Sequence, residues 1–353
     1  MSKSFHGPLL SAIAVLVLTG FLFLLHDVRQ VLIEVPPKFI GHTPLDNTTS
    51  SEIPNIVHFV HFVTPPTQFE PTAQLNFEFS HFVAIYSAYL YLQPDVIYIH
   101  TNAWSEVFSQ AKESPNPWTR IVANLPPVTF HFADAPTFTT SGKAVENFAH
   151  KSDFIRTAVM KEWGGIYLDQ DAYVLKDFAP LRRTGFQNVV GMEYGGQVGC
   201  AILLSTPGNE LITRYQQQQD SVFDGGWITH SVRLLTTLVR QYSEKEGQVL
   251  ILERNAFFPL SWRPKDLRDM YAVDGLGMYD AWAAPAHSKP TRKDWNTSYA
   301  VHGFNSALAA ENINFGIFGG ITLDYVLAQS SNFARAVYPA VKHALDNGVI
   351  PLI

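Results

Sequence analysis

The chain has 353 residues, 46% hydrophobic and 13% aromatic, enough apolar material for a large buried core in one or two domains. Its formal net charge is -6 with no Lys/Arg cluster, which excludes a nucleic-acid partner, because phosphate backbones need concentrated positive charge. A single cysteine, Cys200, excludes an internal disulfide; among apolar neighbours it reads as a small core residue.

Residues 8–25 carry no charge and are almost continuously apolar. At ~1.5 Å per residue such a run nearly spans the ~30 Å hydrocarbon core of a bilayer. It continues directly into His26, Asp27, Val28 and Arg29 without a small-x-small cleavage site, so it reads as an uncleaved anchor rather than a signal peptide. Lys3 on one side is matched by Arg29 on the other, so charge does not set its orientation. The expected organisation is a tail (1–7), a transmembrane anchor (8–25), a Pro- and Thr/Ser-containing stem (26–52) and a large C-terminal domain (53–353). Two glycosylation sequons, at Asn47 and Asn296, permit a luminal location without requiring one.

Beyond Pro54, β-rich runs alternate with amphipathic stretches. Strands are expected at 56–63, 96–99 and 128–132, with a helix at 75–92 ending before Pro94. A second helix is expected over 142–163, with Phe148, Ser152, Ile155 and Val159 on one face. Gly164-Gly165 terminates it, and Ile166-Tyr167-Leu168 reads as a short buried strand ending at Asp169. This alternation predicts an α/β fold with a mostly parallel sheet flanked by helices, whose ligands bind at the carboxyl ends of the strands.

Asp169 and Asp171 stand at that end. In an extended segment, carboxylates two residues apart point the same way and can share one hard cation. An isolated Asp-x-Asp is more often a surface loop, so the surroundings decide. The Gly-Gly pair allows close backbone approach. One helix upstream, Asp153 and Arg156 lie at i, i+3; they form either a surface salt bridge or a pair that meets phosphates and sugar hydroxyls.

The run Ser152-Asp153-Phe154-Ile155-Arg156, then Trp163-Gly164-Gly165-Ile166-Tyr167-Leu168-Asp169-Gln170-Asp171, resembles the sugar-binding region of glycosyltransferase family 32. Ile53-Pro54-Asn55-Ile56-Val57-His58 is similar to that family's opening strand, which lines the nucleotide pocket. Asp224-Gly225-Gly226-Trp227 with Leu234-Leu235, the run from Ala256 to Trp262, and Tyr299-Ala300-Val301-His302 resemble the C-terminal region of α-1,4-galactosyltransferases. The likeness spans about residues 53–310 and weakens over 64–140. It departs after His302, where Gly303-Phe304-Asn305 replaces Val/Leu-Trp; this leaves the acceptor and the sugar open.

The resemblance implies a GT-A-like (Rossmann-like) fold, retention of anomeric configuration and a divalent metal, Mn2+ or Mg2+. Asp169, Asp171 and His302 would be its ligands. Asp153, Arg156 and Asp171 would serve catalysis. His58, Asp153, Arg156, Tyr167 and Asp169 would bind a nucleotide-sugar donor, with UDP-galactose first and GDP-mannose the alternative. The acceptor would be a glycan or glycolipid, and the location a Golgi membrane with the single-pass type II chain's catalytic domain in the lumen. A non-catalytic, membrane-anchored carbohydrate-binding role is the rival reading. Trp227 and His230 either stack on an acceptor sugar or pack at a helix start. Glu193 and Gln197 either border the donor or belong to an ordinary loop beside a strand. Trp262 reads as packing, and 216–219 as a solvated helix face.

Overall fold

Short runs of Val, Ile, Leu and Phe form the strands of a mixed, mostly parallel sheet. The computed structural model describes residues 52–64, 74–274, 292–309, 311 and 314–351. The expected tail, anchor and nearly all of the stem lie outside these residues. No helix among the described residues is long and apolar enough to cross a membrane.

The strands are β1 (Ile56–Val60), β2 (Val96–Thr101), β3 (Val128–Phe132), β4 (Gly165–Leu168), β5 (Ala172–Val174), β6 (Asn188–Met192), β7 (Val198–Ser205), β8 (Val249–Leu252) and β9 (Ala300–His302). Seven of them form one sheet in the order β3-β2-β1-β4-β7-β6-β8, and β5 pairs with β9 apart from it. Neighbours from β3 to β4 are parallel, β7 runs antiparallel to both β4 and β6, and β8 is parallel to β6. The helices of eight residues or more are α1 (Phe79–Leu92), α2 (Ser105–Lys112), α3 (Pro117–Asn124), α4 (Phe148–Trp163), α5 (Glu210–Val222), α6 (Leu234–Tyr242), α7 (Pro264–Tyr271) and α8 (Asn332–Asp346).

Alternation along the strands divides the core between the two faces of the sheet. Val57, Phe59, Ile166, Leu168, Ile202 and Leu204 pack with α1 and α8, whereas Val60, Tyr167, Val190 and Leu203 pack with α4, α5 and α6. Two helices start later than expected. Leu75 and Phe77 are buried between exposed Gln74, Asn76 and Glu78, a period of two, and α1 begins only after the Glu78–His81 capping box. The second helix, α4, begins at Phe148, because the Asn147 side chain caps it by accepting from the Ala149 N–H (2.8 Å).

Gly164 and Gly165 join α4 to β4 at φ of +63° and +99°. A Cβ on Gly165 would lie 2.4 Å from the Ile56 carbonyl oxygen, and one on Gly164 would lie 2.6 Å from the Pro207 nitrogen. Only glycine lets β4 run this close to β1 and to the chain beyond β7.

Three imidazoles cross the parallel half of the sheet. His58 Nε2 lies 2.8 Å from the Gly164 carbonyl, His58 Nδ1 lies 3.0 Å from His100 Nε2, and His100 Nδ1 lies 3.1 Å from His131 Nδ1. The carbonyl accepts only, so His58 donates from Nε2 and must accept at Nδ1. His100 then donates from Nε2 and accepts from His131 Nδ1–H, which fixes every tautomer in the row. Trp163 stacks over His58 and His100. Burial holds the His58 pKa down to about 4 and that of His100 to about 2.

Replacing Gly165 with Ala is expected to destabilise the fold by about 2–5 kcal/mol, through strain plus overlap. Gly142→Ala, also at positive φ (+81°) but with nothing within 4 Å, should cost about 1 kcal/mol, both changes being read by denaturant titration. A pH series tests the histidine row. Unfolded imidazoles take up protons below pH ~6.5 while the folded His58 and His100 refuse them, so stability falls as pH drops from ~6.5 towards 4. Each contributes up to about 1.4 kcal/mol per pH unit. A denaturation midpoint that stays flat between pH 7 and 5 would mean that His58 and His100 take up protons in the fold.

Candidate active site

Leu168 ends β4, and the chain turns at once: the Ala172 N–H donates to the Asp169 carbonyl (2.9 Å). Asp169 and Asp171 therefore converge across a turn, not along an extended strand as their spacing alone implied. Gln170 between them lies against His61 at the end of β1 (2.7 Å). β5 then pairs antiparallel with β9, placing His302 opposite Ala172.

His302 Nε2 lies 3.1 Å from Asp171 Oδ1 and 4.0 Å from Asp169 Oδ2. The other Asp171 oxygen accepts from the Asn305 N–H (2.8 Å). One ligand atom from each of Asp169, Asp171 and His302 lies within 4.8 Å of the others. Two carboxylates and an imidazole at that spacing fit a divalent ion. Burial and the neighbouring Asp171 push the Asp169 pKa up, against the opposing pull of Arg156. Burial also acts to raise that of Asp171, but His302 and the Asn305 N–H outweigh it and hold it low. Asp171 in turn raises the pKa of His302 against the effect of burial, giving an ion pair whose imidazolium proton an entering cation would displace.

Asp169 Oδ1 is already taken. It accepts from Arg156 Nη2 and from the Tyr167 hydroxyl, both at 2.8 Å, which leaves Oδ2 on the His302 side. Arg156 Nη1 donates to Asp153 Oδ1 (2.5 Å), and its guanidinium lies 4.5 Å from the centre of the Tyr167 ring. Asp153 Oδ2 faces His230 Nε2 at 3.0 Å.

Several expectations change here. Arg156, with its side chain 3% exposed, and Asp153 form neither a surface salt bridge nor an open donor surface; they stand behind Asp169 and hold it. Tyr167 is buried and does the same. His58 leaves the donor set, because it is fully buried with both ring nitrogens committed to protein partners. His230 cannot stack on an acceptor, since its side chain is 0% exposed. Trp227, 57% exposed, keeps an open ring face.

Gly303-Phe304-Asn305, where the sequence departs from the galactosyltransferase pattern, supports the site directly. Phe304 packs 4.1 Å from the His302 ring with φ of +52°, a strained conformation for a non-glycine residue, and this presents the Asn305 N–H to Asp171. The main-chain donor at Asn305 was missed by sequence reasoning, since a backbone N–H leaves no residue-type signal. The Glu193 N–H donates to the Gln197 carbonyl (2.7 Å), so this stretch is the β6–β7 turn. Burial raises the Glu193 carboxyl pKa against the opposing pull of His302 and Arg254.

Residues 80–194 match the family described as "Glycosyltransferase sugar-binding region containing DXD motif", a span that holds Asp153, Arg156, Tyr167, Asp169 and Asp171. The chain is 28% identical over 268 residues to glucan organizing enzyme 1 of Cryptococcus neoformans var. grubii, covering 71% of this chain and 68% of that protein. Among solved structures it is similar to the PaToxG glycosyltransferase (13% identity, 81% of this chain and 86% of that one, TM-score 0.37). It is also similar to the galactosyltransferase LgtC in complex with donor and acceptor sugar analogs (11% identity, 76% and 98%, TM-score 0.32). The Asp-x-Asp turn and the helix that holds it thus form a DXD-containing sugar-binding region of the family 32 type, and the chain is a glycosyltransferase.

Proposed function

We propose that the chain is a metal-dependent, retaining hexosyltransferase with a GT-A-type fold, transferring a hexose from a nucleoside-diphosphate sugar to a glycan or glycolipid hydroxyl. What carries this reading is the convergence of Asp169, Asp171 and His302 within 4.8 Å at the carboxyl end of β4. Asp169 would use Oδ2, because Arg156 and Tyr167 occupy Oδ1. Asp171 would keep one oxygen on the Asn305 N–H and turn the other, with His302 Nε2, to the ion. A manganese or magnesium ion held there would neutralise the charge that develops on the leaving diphosphate. The protein's own part is to keep these ligands oriented and partly dehydrated before substrate arrives.

UDP-galactose is the first donor, on the likeness of the C-terminal motifs to α-1,4-galactosyltransferases, and GDP-mannose the alternative. The name of the fungal relative puts glucans among the acceptors worth testing. Trp227, with its open face, would stack on the acceptor sugar. Residues 8–25 would anchor the chain as a type II Golgi protein, with 26–52 as the stem and 53–353 as the luminal catalytic domain.

Manganese-dependent donor hydrolysis tests the metal assignment. Asp171→Asn is expected to lower kcat/KM by at least about 100-fold, equivalent to about 3 kcal/mol of lost charge stabilisation. Equal hydrolysis by wild type and variant would overturn it. Thermal-shift measurement with manganese should show stabilisation by UDP-galactose; a response to GDP-mannose alone would replace the donor. Trp227→Ala should raise the acceptor KM about 5- to 10-fold and leave donor hydrolysis unchanged, in line with the loss of about 1 kcal/mol of aromatic contact.

A further inference from the structure

We propose that His230 is a positioning residue for Asp169, acting through Asp153 and Arg156, and that it thereby sets how tightly the Asp169–Asp171–His302 group holds a divalent ion. The inference rests on the metal-site reading above and extends it to a residue outside the matched DXD region.

The four side chains form one line: His230 Nε2 to Asp153 Oδ2 at 3.0 Å, Asp153 Oδ1 to Arg156 Nη1 at 2.5 Å, and Arg156 Nη2 to Asp169 Oδ1 at 2.8 Å. Each of the two inner groups is held at both ends. Asp153 sets Oδ1 on the Arg156 guanidinium and Oδ2 3.0 Å from His230 Nε2, a close polar contact outside hydrogen-bond geometry, and Arg156 divides its two terminal nitrogens between two carboxylates. In so buried a setting an oxygen that loses its partner keeps the full cost of desolvation. Asp153 without His230 would have to turn or draw in water, and the guanidinium that it aims would turn with it.

His230 is itself wedged. It sits on a π-helical turn (Thr229–Arg233) leading into α6. Such a turn inserts a residue and redirects a side chain, and these turns concentrate at functional sites. Its ring lies 5.6 Å from Phe154 in a stacked arrangement, with Phe223 and His150 each at 4.8 Å nearly edge-on. Three rings thus pack around the imidazole, with Nε2 on the Asp153 side. An ordinary packing role would need the ring alone; the 3.0 Å contact to a carboxylate that serves Asp169 gives the nitrogen a use.

The test is titration of the full-length chain with Mn2+, reading free manganese by electron paramagnetic resonance, alongside the melting temperature of the metal-free protein. His230→Phe keeps a ring and removes the nitrogen. His230→Gln returns an N–H at about the reach of Nε2, whereas His230→Asn falls short of it. Loss of a group that orients metal ligands typically weakens metal binding by about 10- to 100-fold. The expected result is a Mn2+ Kd raised at least about 10-fold in the Phe and Asn variants and restored to within about 3-fold of wild type in Gln, at similar melting temperatures. Should the Phe variant fail to fold, the Gln and Asn pair carries the test: tight binding by Gln and weak binding by Asn supports the proposal, and equal affinities overturn it. Wild-type binding that Asp171→Asn abolishes but His230→Phe leaves unchanged would overturn this inference alone. A wild-type chain that binds no Mn2+ would overturn the metal reading together with it.

Discussion

The short antiparallel ladder between β5 and β9 is the contact on which the site depends. It matches Ala172 with His302, residues from distant parts of the chain, and sets an imidazole against the second carboxylate of the Asp-x-Asp turn. Only three residue pairs form it, so its stability is borrowed. Tyr173 packs on Phe333 of α8, and Tyr271 of α7 donates its hydroxyl to the Gly303 carbonyl just beyond β9 (2.7 Å). The late helices of the chain thus act on chemistry encoded near its middle, by clamping the strand that carries His302.

The second constraint is electrostatic. Helix α4 turns Asp153, Arg156, Thr157 and Met160 inward, a buried face that includes an acid and a base where an ordinary amphipathic helix would be apolar. Burying such a pair is costly, and replacing it with apolar residues would often stabilise a fold. Here the pair is spent on direction. Arg156 and Tyr167 together saturate one oxygen of Asp169, so the carboxylate presents the other in a fixed orientation. Asp171 gains the same definition from a main-chain N–H at Asn305. Preorganised carboxylates of this kind avoid the reorganisation that flexible surface carboxylates would need on meeting a charged partner.

The sheet explains why this machinery lies at the end of β4. β4 adjoins β1 on one side and the reversed β7 on the other, so the direction of pairing changes there. Gly164 and Gly165 permit that close packing, and the histidine row under Trp163 braces the approach, with His58 donating to the Gly164 carbonyl. His58 is thus a support for the strand entry rather than a ligand for a substrate.

The alternation of apolar runs and helical stretches was enough to read the strands near 56, 96, 128 and 166 and the mostly parallel sheet: burial on both faces leaves a continuous apolar signature at β1 and β4, whereas the half-exposed edge strand β3 shows Val128, Phe130 and Phe132 at a period of two. The Asp-x-Asp pair with Gly-Gly, Asp153 and Arg156 was equally legible, since these residues are close in sequence and their spacing is set by one helix and one turn. Helix starts were less so: the alternation at 74–78 and the cap at Asn147 are local cues that the longer helical period hid. Tertiary structure alone decided which way the polar groups face. Whether Arg156 meets a ligand or a carboxylate, whether His230 is a surface platform or a buried brace, and whether His302 reaches Asp171 all depend on contacts between segments far apart in the chain. Residue type records that a group can donate or accept a hydrogen bond; only packing determines which partner takes it.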